Sequence, residues 1–414
     1  MKVDQRNIID IKPYPKNAKE HPKKQIEKIS ASISAFGFNQ PIVVDKEGVI
    51  IVGHGRYYAA IELQMDKVPV LEIDLSEEKA KAYRLADNKL NESDWDMDLA
   101  VEELKELSLE MVRLTGFDEN LILETTEDYP DLSDLGEPKS KLGDVYELGP
   151  HKLVCGDSTD PETYKKLFGE DKARVIFTDP PYSIDYQSGS GISAPSPKFQ
   201  GEGKIIGDDR TPQEALQFYK DVLTQMKAYS TPDSTLYWWH AMRLVDINMQ
   251  AMRETGWHFS QIVFWLNNSL IFSQSQLYHR IYEPCIVAWQ EDGTPHFQNR
   301  AFTKFSELWT LDKKTFAENL DVVYQKRDSF KEYIHPTQKP VQLAERALKR
   351  SSEVGDLVLD AFGGSGSTLI ACDQLGRKAR MIELDPKYVD AAIGRYLQYT
   401  ETTTVIRNGK EILW

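Results

Sequence analysis

Val175-Ile176-Phe177-Thr178-Asp179-Pro180-Pro181-Tyr182 is a short apolar run stopped by a proline pair. An apolar run bounded by turn residues reads as a buried strand. The prolines end it because neither can donate to a sheet ladder. Outward from this stretch, strand-like runs alternate with helical ones. Arg174–Thr178, Thr235–Trp239, Ile262–Leu266, Glu283–Trp289, Asp356–Ala361 and Lys378–Glu383 read as strands. Gln213–Tyr229, Ala241–Thr255, Val341–Ser352 and Ser367–Leu375 read as helices. Such alternation implies an α/β sheet with helices on both faces. Ligands in these sheets bind beyond the carboxyl ends of the strands. Asp179–Tyr182 therefore falls where a site belongs.

The chemistry of that tetrad is specific. An aromatic amine such as adenine N6 is a poor nucleophile, because its lone pair is delocalised into the ring. A carboxylate (Asp179) and a backbone carbonyl can accept its two N–H hydrogens and favour a pyramidal nitrogen. Pro180 and Pro181 hold the chain extended and remove donors. Tyr182 offers a ring face on which an extruded base can stack. The plainer alternative is a strand followed by a proline turn with a capping aspartate.

Asp360-Ala361-Phe362-Gly363-Gly364-Ser365-Gly366-Ser367-Thr368 follows the apolar run Leu357–Leu359 and precedes a helix. Glycines let backbone turn tightly and approach a ligand. Glu383 ends the next strand, where an acid suits a ribose diol. A dinucleotide fold competes, but the third glycine of G-x-G-x-x-G is missing and the chain beyond residue 360 is too short for it. His335-Pro336-Thr337-Gln338-Lys339-Pro340 lies just upstream, and alone it could be a helix start with Thr337 as cap.

Together and in this order, these motifs resemble the β group of DNA amino-methyltransferases, over roughly residues 142–400. The resemblance implies a Rossmann-like, seven-stranded methyltransferase sheet and S-adenosylmethionine as methyl donor. It implies a catalytic tetrad of Asp179, Pro180, Pro181 and Tyr182. The donor pocket would comprise Asp360, Phe362, Gly363, Gly364, Gly366, Ser367 and Thr368, with Glu383 on the ribose. Asp157, in Gly156-Asp157, would hold the donor's adenine, with Thr337 and Lys339 nearby. Asp rather than Ser at position 179 tilts the target towards adenine N6 over cytosine N4. Cytosine C5 chemistry needs a cysteine nucleophile, and Cys285, after Pro284, lies within an apolar strand pattern that reads as core. An inert domain in a DNA-binding regulator is the alternative from another class.

Residues 1–120 form a separate unit in this reading. Pro41–Val44 and Val49–Val52 look like strands around a Lys46-Glu47-Gly48 turn, Gln25–Phe36 and Arg56–Met65 like helices, and Ser76–Lys79 like a capped helix start. Asp98–Leu114 reads as one further helix. Val52-Gly53-His54-Gly55-Arg56-Tyr57-Tyr58-Ala59-Ala60 resembles the ParB/sulfiredoxin-like module, a small α+β domain. Gly53, His54, Gly55 and Arg56 are then candidates for an anion or for DNA; a purely structural or dimerising module is the alternative. Residues 121–141 are rich in Asp, Glu, Ser and Pro from Thr125 onward and read as a mobile linker. Residues 142–414 would be the catalytic domain.

The 414 residues carry a formal net charge of −15. That argues against non-specific coating of nucleic acid but leaves room for a local basic cleft. The segment at about 290–333 has seven basic residues, from Arg300 to Lys331, interleaved with Phe297, Phe302, Phe305, Trp309 and Phe316. It suits phosphate contact and wedging and is the candidate target-recognition segment. Three cysteines without CxxC spacing disfavour structural zinc and disulfides, and no metal is expected. No run approaches a membrane span and no signal peptide is expected. The partner is then double-stranded DNA, a homodimer is left open, and the setting is cytoplasmic, bacterial, phage or prophage-type. The long Gly/Ser/Pro-rich stretch Gln187–Gly207 reads as a loop.

Overall fold

A computed structural model describes residues 2–90, 95–127, 137–183, 208–271, 280–296, 321–324 and 339–414. The chain divides into two units, Met1–Ile122 and Leu123–Trp414.

The first unit holds β1 (Val3–Asn7), α1 (Lys23–Phe36), β2 (Ile42–Val44), β3 (Ile50–Val52), α2 (His54–Glu62), β4 (Lys67–Glu72), α3 (Glu77–Leu90), α4 (Met97–Lys105) and α5 (Leu109–Thr115). Its sheet runs β1-β4-β2-β3. Ile42, Val44, Ile50, Val68 and Val70 bury one face of it. The single helix expected over Asp98–Leu114 is two. Asp96 caps α4 at the Leu99 amide, and Ser108 caps α5 at the Met111 amide. A serine that accepts a backbone N–H favours a new start over helix interior.

The second unit continues with β5 (Val145–Leu148), β6 (His151–Cys155), α6 (Pro161–Phe168), β7 (Ala173–Thr178), α7 (Pro212–Ala228), β8 (Ser230–Trp239) and α8 (Val245–Glu254). Next come β9 (Trp257–Ile271), β10 (Arg280–Gln290), β11 (Val322–Tyr324), α9 (Val341–Ser351) and β12 (Leu357–Asp360). The chain closes with α10 (Ser367–Gln374), β13 (Lys378–Glu383), α11 (Pro386–Thr400), β14 (Thr404–Arg407) and β15 (Lys410–Leu413).

The sheet order is β11-β9-β10-β8-β7-β12-β13-β6-β5-β14-β15. Seven of these, β9-β10-β8-β7-β12-β13-β6, match the strand number that the sequence implies. Within them β6, β13, β12, β7 and β8 are parallel, and β10 runs antiparallel to both neighbours. The sheet is wider than expected because β11 adds to β9, β5 folds back on β6, and a terminal hairpin joins β5. That hairpin turns at Asn408-Gly409, both at positive φ, the conformation that suits a two-residue turn.

Both faces are covered, so strand residues are buried in alternation. Val175 and Phe177 enter one core with α9, α10 and α11, and Ile176 enters the other with α6, α7 and α8. β7 and β12 are adjacent although far apart in sequence. The chain leaves them in opposite directions across the sheet, which opens a crevice at their carboxyl ends.

The described ends of the linker segment are tied down. Glu345 Oε2 accepts from the Thr125 amide and hydroxyl at 2.8 and 2.7 Å, and the Asp390 carboxylate accepts the Lys139 and Ser140 amides. Polar side chains of α9 and α11 thus hold both described ends of the expected linker, and residues 128–136 lie outside the described residues. Gln187–Gly207 lies outside the described residues, as do 297–320 and 325–333 of the candidate recognition segment. Cys155, Cys285 and Cys372 are free and buried. No helix among the described residues is long and apolar enough to cross a membrane.

Candidate active site

Asp179 leaves the end of β7 and Asp360 ends β12, so the two motifs meet side by side. Thr178 ties them together. Its hydroxyl donates to Asp360 Oδ1 at 2.8 Å and accepts from the Ala361 amide at 3.1 Å. The proline turn is held from the other side, where the Tyr219 hydroxyl donates to the Pro181 carbonyl at 2.9 Å.

The Asp179 carboxylate has two unlike oxygens. Oδ2 accepts from the Lys339 ammonium. Oδ1 is buried and has no hydrogen-bond partner among the described residues. A buried acceptor left unmatched costs free energy, so Oδ1 holds unused accepting capacity in a residue that lines the crevice. Burial pushes the carboxyl up, the Lys339 ammonium pulls it back, and nearby Glu283 adds to the rise.

The glycine turn divides its labour. A Cβ on Gly363 would meet Met381 Cε at 2.4 Å. Gly364, at φ 50°, faces open space, and its amide donates to Glu383 Oε2 at 2.8 Å. Gly366 sits at φ 84°, and a Cβ there would meet Ala392 Cβ at 3.1 Å. It serves the packing of α10 against α11 and is not on the cavity wall, contrary to the expectation that it lines the donor pocket. Asp360 is buried. Its oxygens accept from Thr178, from the Phe362 amide and, at 2.6 Å, from the Thr368 hydroxyl. It holds the turn rather than offering free acceptors, and burial pushes it up to about 6.

Glu383 accepts the Gly364 amide on one oxygen and the Asp385 amide, at 2.8 Å, on the other. Burial nonetheless pushes it up to about 7. Asp157 Oδ1 accepts the Thr159 amide and hydroxyl, both at 2.8 Å. The crevice is a cavity of about 340 Å³ walled by Asp157, Asp179–Tyr182, Lys339, Asp360–Ser365, Ser367, Thr368 and Glu383. Six acidic side chains face two basic ones, Lys339 and Arg210, around it. That balance suits a cationic occupant.

Thr337 lies outside the described residues. Lys339, expected near the donor, lines the same cavity and donates to the Asp179 carboxylate. Several wall or support residues carried no motif. Phe218 packs on Phe362 at 5.9 Å, and Arg210 lies 3.7 Å over Phe218. Buried Arg395 donates to the Ser365 carbonyl and the Ser367 hydroxyl, each at 3.2 Å. An arginine in the middle of an amphipathic helix has no periodicity that marks it as internal.

In the first unit, His54 and Gly55 of the Gly53–Arg56 candidates are buried. His54 Nε2 accepts the Tyr14 amide at 3.1 Å, and burial pushes its pKa down to about 4. A Cβ on Gly55 would meet Ile29 Cδ1 at 2.9 Å. Arg56 Nη1 donates to Gln40 Oε1 at 2.7 Å. His54 and Gly55 therefore serve the fold, while Arg56 keeps a buried Nε that has no hydrogen-bond partner among the described residues.

A cleft at the carboxyl ends of β7 and β12, with a D-P-P-Y tetrad beside a glycine turn, defines a base-modifying enzyme of the amino-methyltransferase class. The DNA methylase family pattern matches residues 173–394, and the ParB N-terminal domain matches residues 2–89. The chain belongs to the DNA methylase family, as an N6/N4 amino-methyltransferase with a ParB-like N-terminal domain. It is 23% identical over 249 residues to the type II methyltransferase M.HpaI of Haemophilus parainfluenzae, covering 58% of this chain and 72% of that protein. Over 71 residues it is 41% identical to the ParB-like nuclease domain-containing protein YnaK of Escherichia coli K12, covering 17% of this chain and 82% of that protein. Similar solved structures include M1.HpyAVI with SAM (TM-score 0.39, 19% identity, 59% of this chain, 98% of that one). Another is the cytosine-N4-specific PvuII DNA methyltransferase (TM-score 0.45, 16% identity, 60% and 86%).

Proposed function

We propose that the protein transfers a methyl group from S-adenosylmethionine to adenine N6 of a base flipped out of duplex DNA. The observation that carries this reading is the buried, unpartnered Oδ1 of Asp179, a residue that lines an acidic cavity of about 340 Å³ together with the glycine turn. The donor set fits. Glu383 is oriented by two backbone amides for a diol, Gly364 leaves room for close approach, and Asp157 stands across the cavity for a ring amine. The bound donor would supply an electrophilic methyl on a sulfonium.

The chain's own part is positioning and electrostatics. Asp179 Oδ1 and the Pro180 carbonyl accept the two amino hydrogens and aim the nitrogen lone pair into the cavity. The Pro181 carbonyl is already engaged by Tyr219, which leaves that of Pro180 for the substrate. Tyr182 supplies the stacking face. The acidic lining favours the cationic donor before transfer, and Asp179 can take the proton that the methylated nitrogen sheds.

Replacing Asp179 with Ala should lower turnover by about 10²–10⁴-fold and leave donor affinity intact. Undiminished rates in a labelled-methyl assay would remove the proposed role. The ParB-like domain is assigned DNA contact. Full-length protein should bind duplex DNA with a steeper salt dependence than a chain lacking residues 1–122; equal slopes would remove that assignment.

A further inference from the structure

Three charged groups from three separate elements converge beside the tetrad. Lys339, immediately before α9, is buried. Its ammonium donates to Asp179 Oδ2, lies 3.3 Å from the Tyr182 hydroxyl and stands 3.6 Å from Glu283 Oε2. The rings of Trp239 and Tyr182 flank it at 5.2 and 5.7 Å. Glu283 comes from β10. That strand is antiparallel to β8, and Cys285 pairs with Trp239, so Glu283 lies at the sheet edge where Asp179 emerges.

The geometry gives the lysine two consequences of opposite sense. By holding Oδ2 it leaves Oδ1 without a partner, as a substrate amine needs. By standing on the carboxylate it also weakens Asp179 as an acceptor, because a cation in contact withdraws its basicity. A second carboxylate on the same ammonium offsets that withdrawal without releasing the lysine. With all three groups ionised the cluster keeps one net negative charge, the sign that a cationic donor and a newly methylated, still protonated nitrogen both favour.

We infer that Glu283 is a positioning residue for methyl transfer, which shares the Lys339 ammonium so that Asp179 is held in place yet remains a strong acceptor. This rests on the base-methylation reading. Glu283 touches neither substrate nor donor in this account and acts through Lys339.

The test is the pH dependence of kcat at saturating DNA and donor for wild type, Glu283→Gln, Glu283→Asp, Lys339→Met and the Glu283→Gln/Lys339→Met pair. Other titratable groups around Asp179 are Tyr182, Tyr219, Cys285 and Asp360. Burial raises all four; the tyrosines and the thiol stay neutral, and Asp360 contributes equally to every variant. Glu283→Gln should lower kcat about tenfold and move the acidic limb down by about one pH unit. Lys339→Met should move that limb up. Glu283→Asp should recover part of the rate, and the double variant should match Lys339→Met in kcat, with its acidic limb below that of Lys339→Met, since coupled residues are not additive. An unshifted limb in Glu283→Gln, or additive losses in the double variant, would overturn the inference. A wild type that binds the donor but methylates no base would overturn it together with the reading beneath it, and that failure is visible before any variant is made.

Discussion

Donor affinity should depend on pH through Glu383. The carboxyl is pushed up to about 7 by burial, against two backbone amides that favour its ionised form. Ribose hydroxyls and a cationic donor both require the carboxylate. Binding below neutrality must therefore expel a proton. With a pKa near 7, about nine-tenths of Glu383 is ionised at pH 8 and about one-tenth at pH 6. The affinity should fall about tenfold between those values, or about 1.4 kcal/mol. Asp360, pushed up to about 6, lies behind the glycine turn with its oxygens already engaged and adds little. Calorimetry at pH 6 and 8, in two buffers of different ionisation enthalpy, reads both the affinity and the proton released. The donor's own groups titrate equally against a Glu383→Gln variant, which should bind more weakly and with a flatter profile. Equal pH dependence in wild type and Glu383→Gln would refute the argument.

The glycines should separate stability from binding. Gly366→Ala should cost about 1–2 kcal/mol of stability, from positive φ and the close Ala392, and leave the surviving folded protein able to bind donor. Gly364→Ala meets nothing in the protein and should be felt mainly in donor calorimetry; thermal unfolding of both variants separates the effects. Arg395→Leu leaves the Ser365 carbonyl without its buried donor and should destabilise by about 1–3 kcal/mol, with weaker donor binding in the same preparation. His240 is buried and pushed down to about 4, so the fold favours its neutral form. Its contribution is complete above pH 6.5 and is lost as pH falls towards 4. Unfolding free energies from urea titrations at pH 7 and 5 should differ by about 2 kcal/mol from this residue, and His240→Asn should lack that part.

Much of the second unit was legible because its signals are local. Lys378–Glu383 carries the apolar pair Met381-Ile382 ahead of Glu383 and coincides with β13. Val341–Ser351 repeats apolar residues at helical spacing, and its proline falls at the cap. Other elements had weaker local marks. β1, Val-Asp-Gln-Arg-Asn, has no apolar alternation and is a strand only because β4 supplies its ladder. The terminal hairpin was marked by Asn408-Gly409, a turn signal passed over because its strands are short and exposed. The site divides in the same way. The tetrad and glycine turn are contiguous motifs at strand ends and could be read directly. The meeting of Asp179, Glu283 and Lys339 depends on strand order across the sheet, which no spacing along the chain encodes. Gly366 was assigned to the ligand because a helix packed behind a glycine and a ligand in front of it demand the same missing side chain.

The most direct measurement is nucleoside mass spectrometry of unmethylated genomic DNA after incubation with purified protein and S-adenosylmethionine. N6-methyladenine is the predicted product, and its rate of formation should fall by about 10²–10⁴-fold with Asp179→Ala. N4-methylcytosine would keep the mechanism and overturn the choice of base. Neither product, from protein shown to bind the donor, would contradict the account.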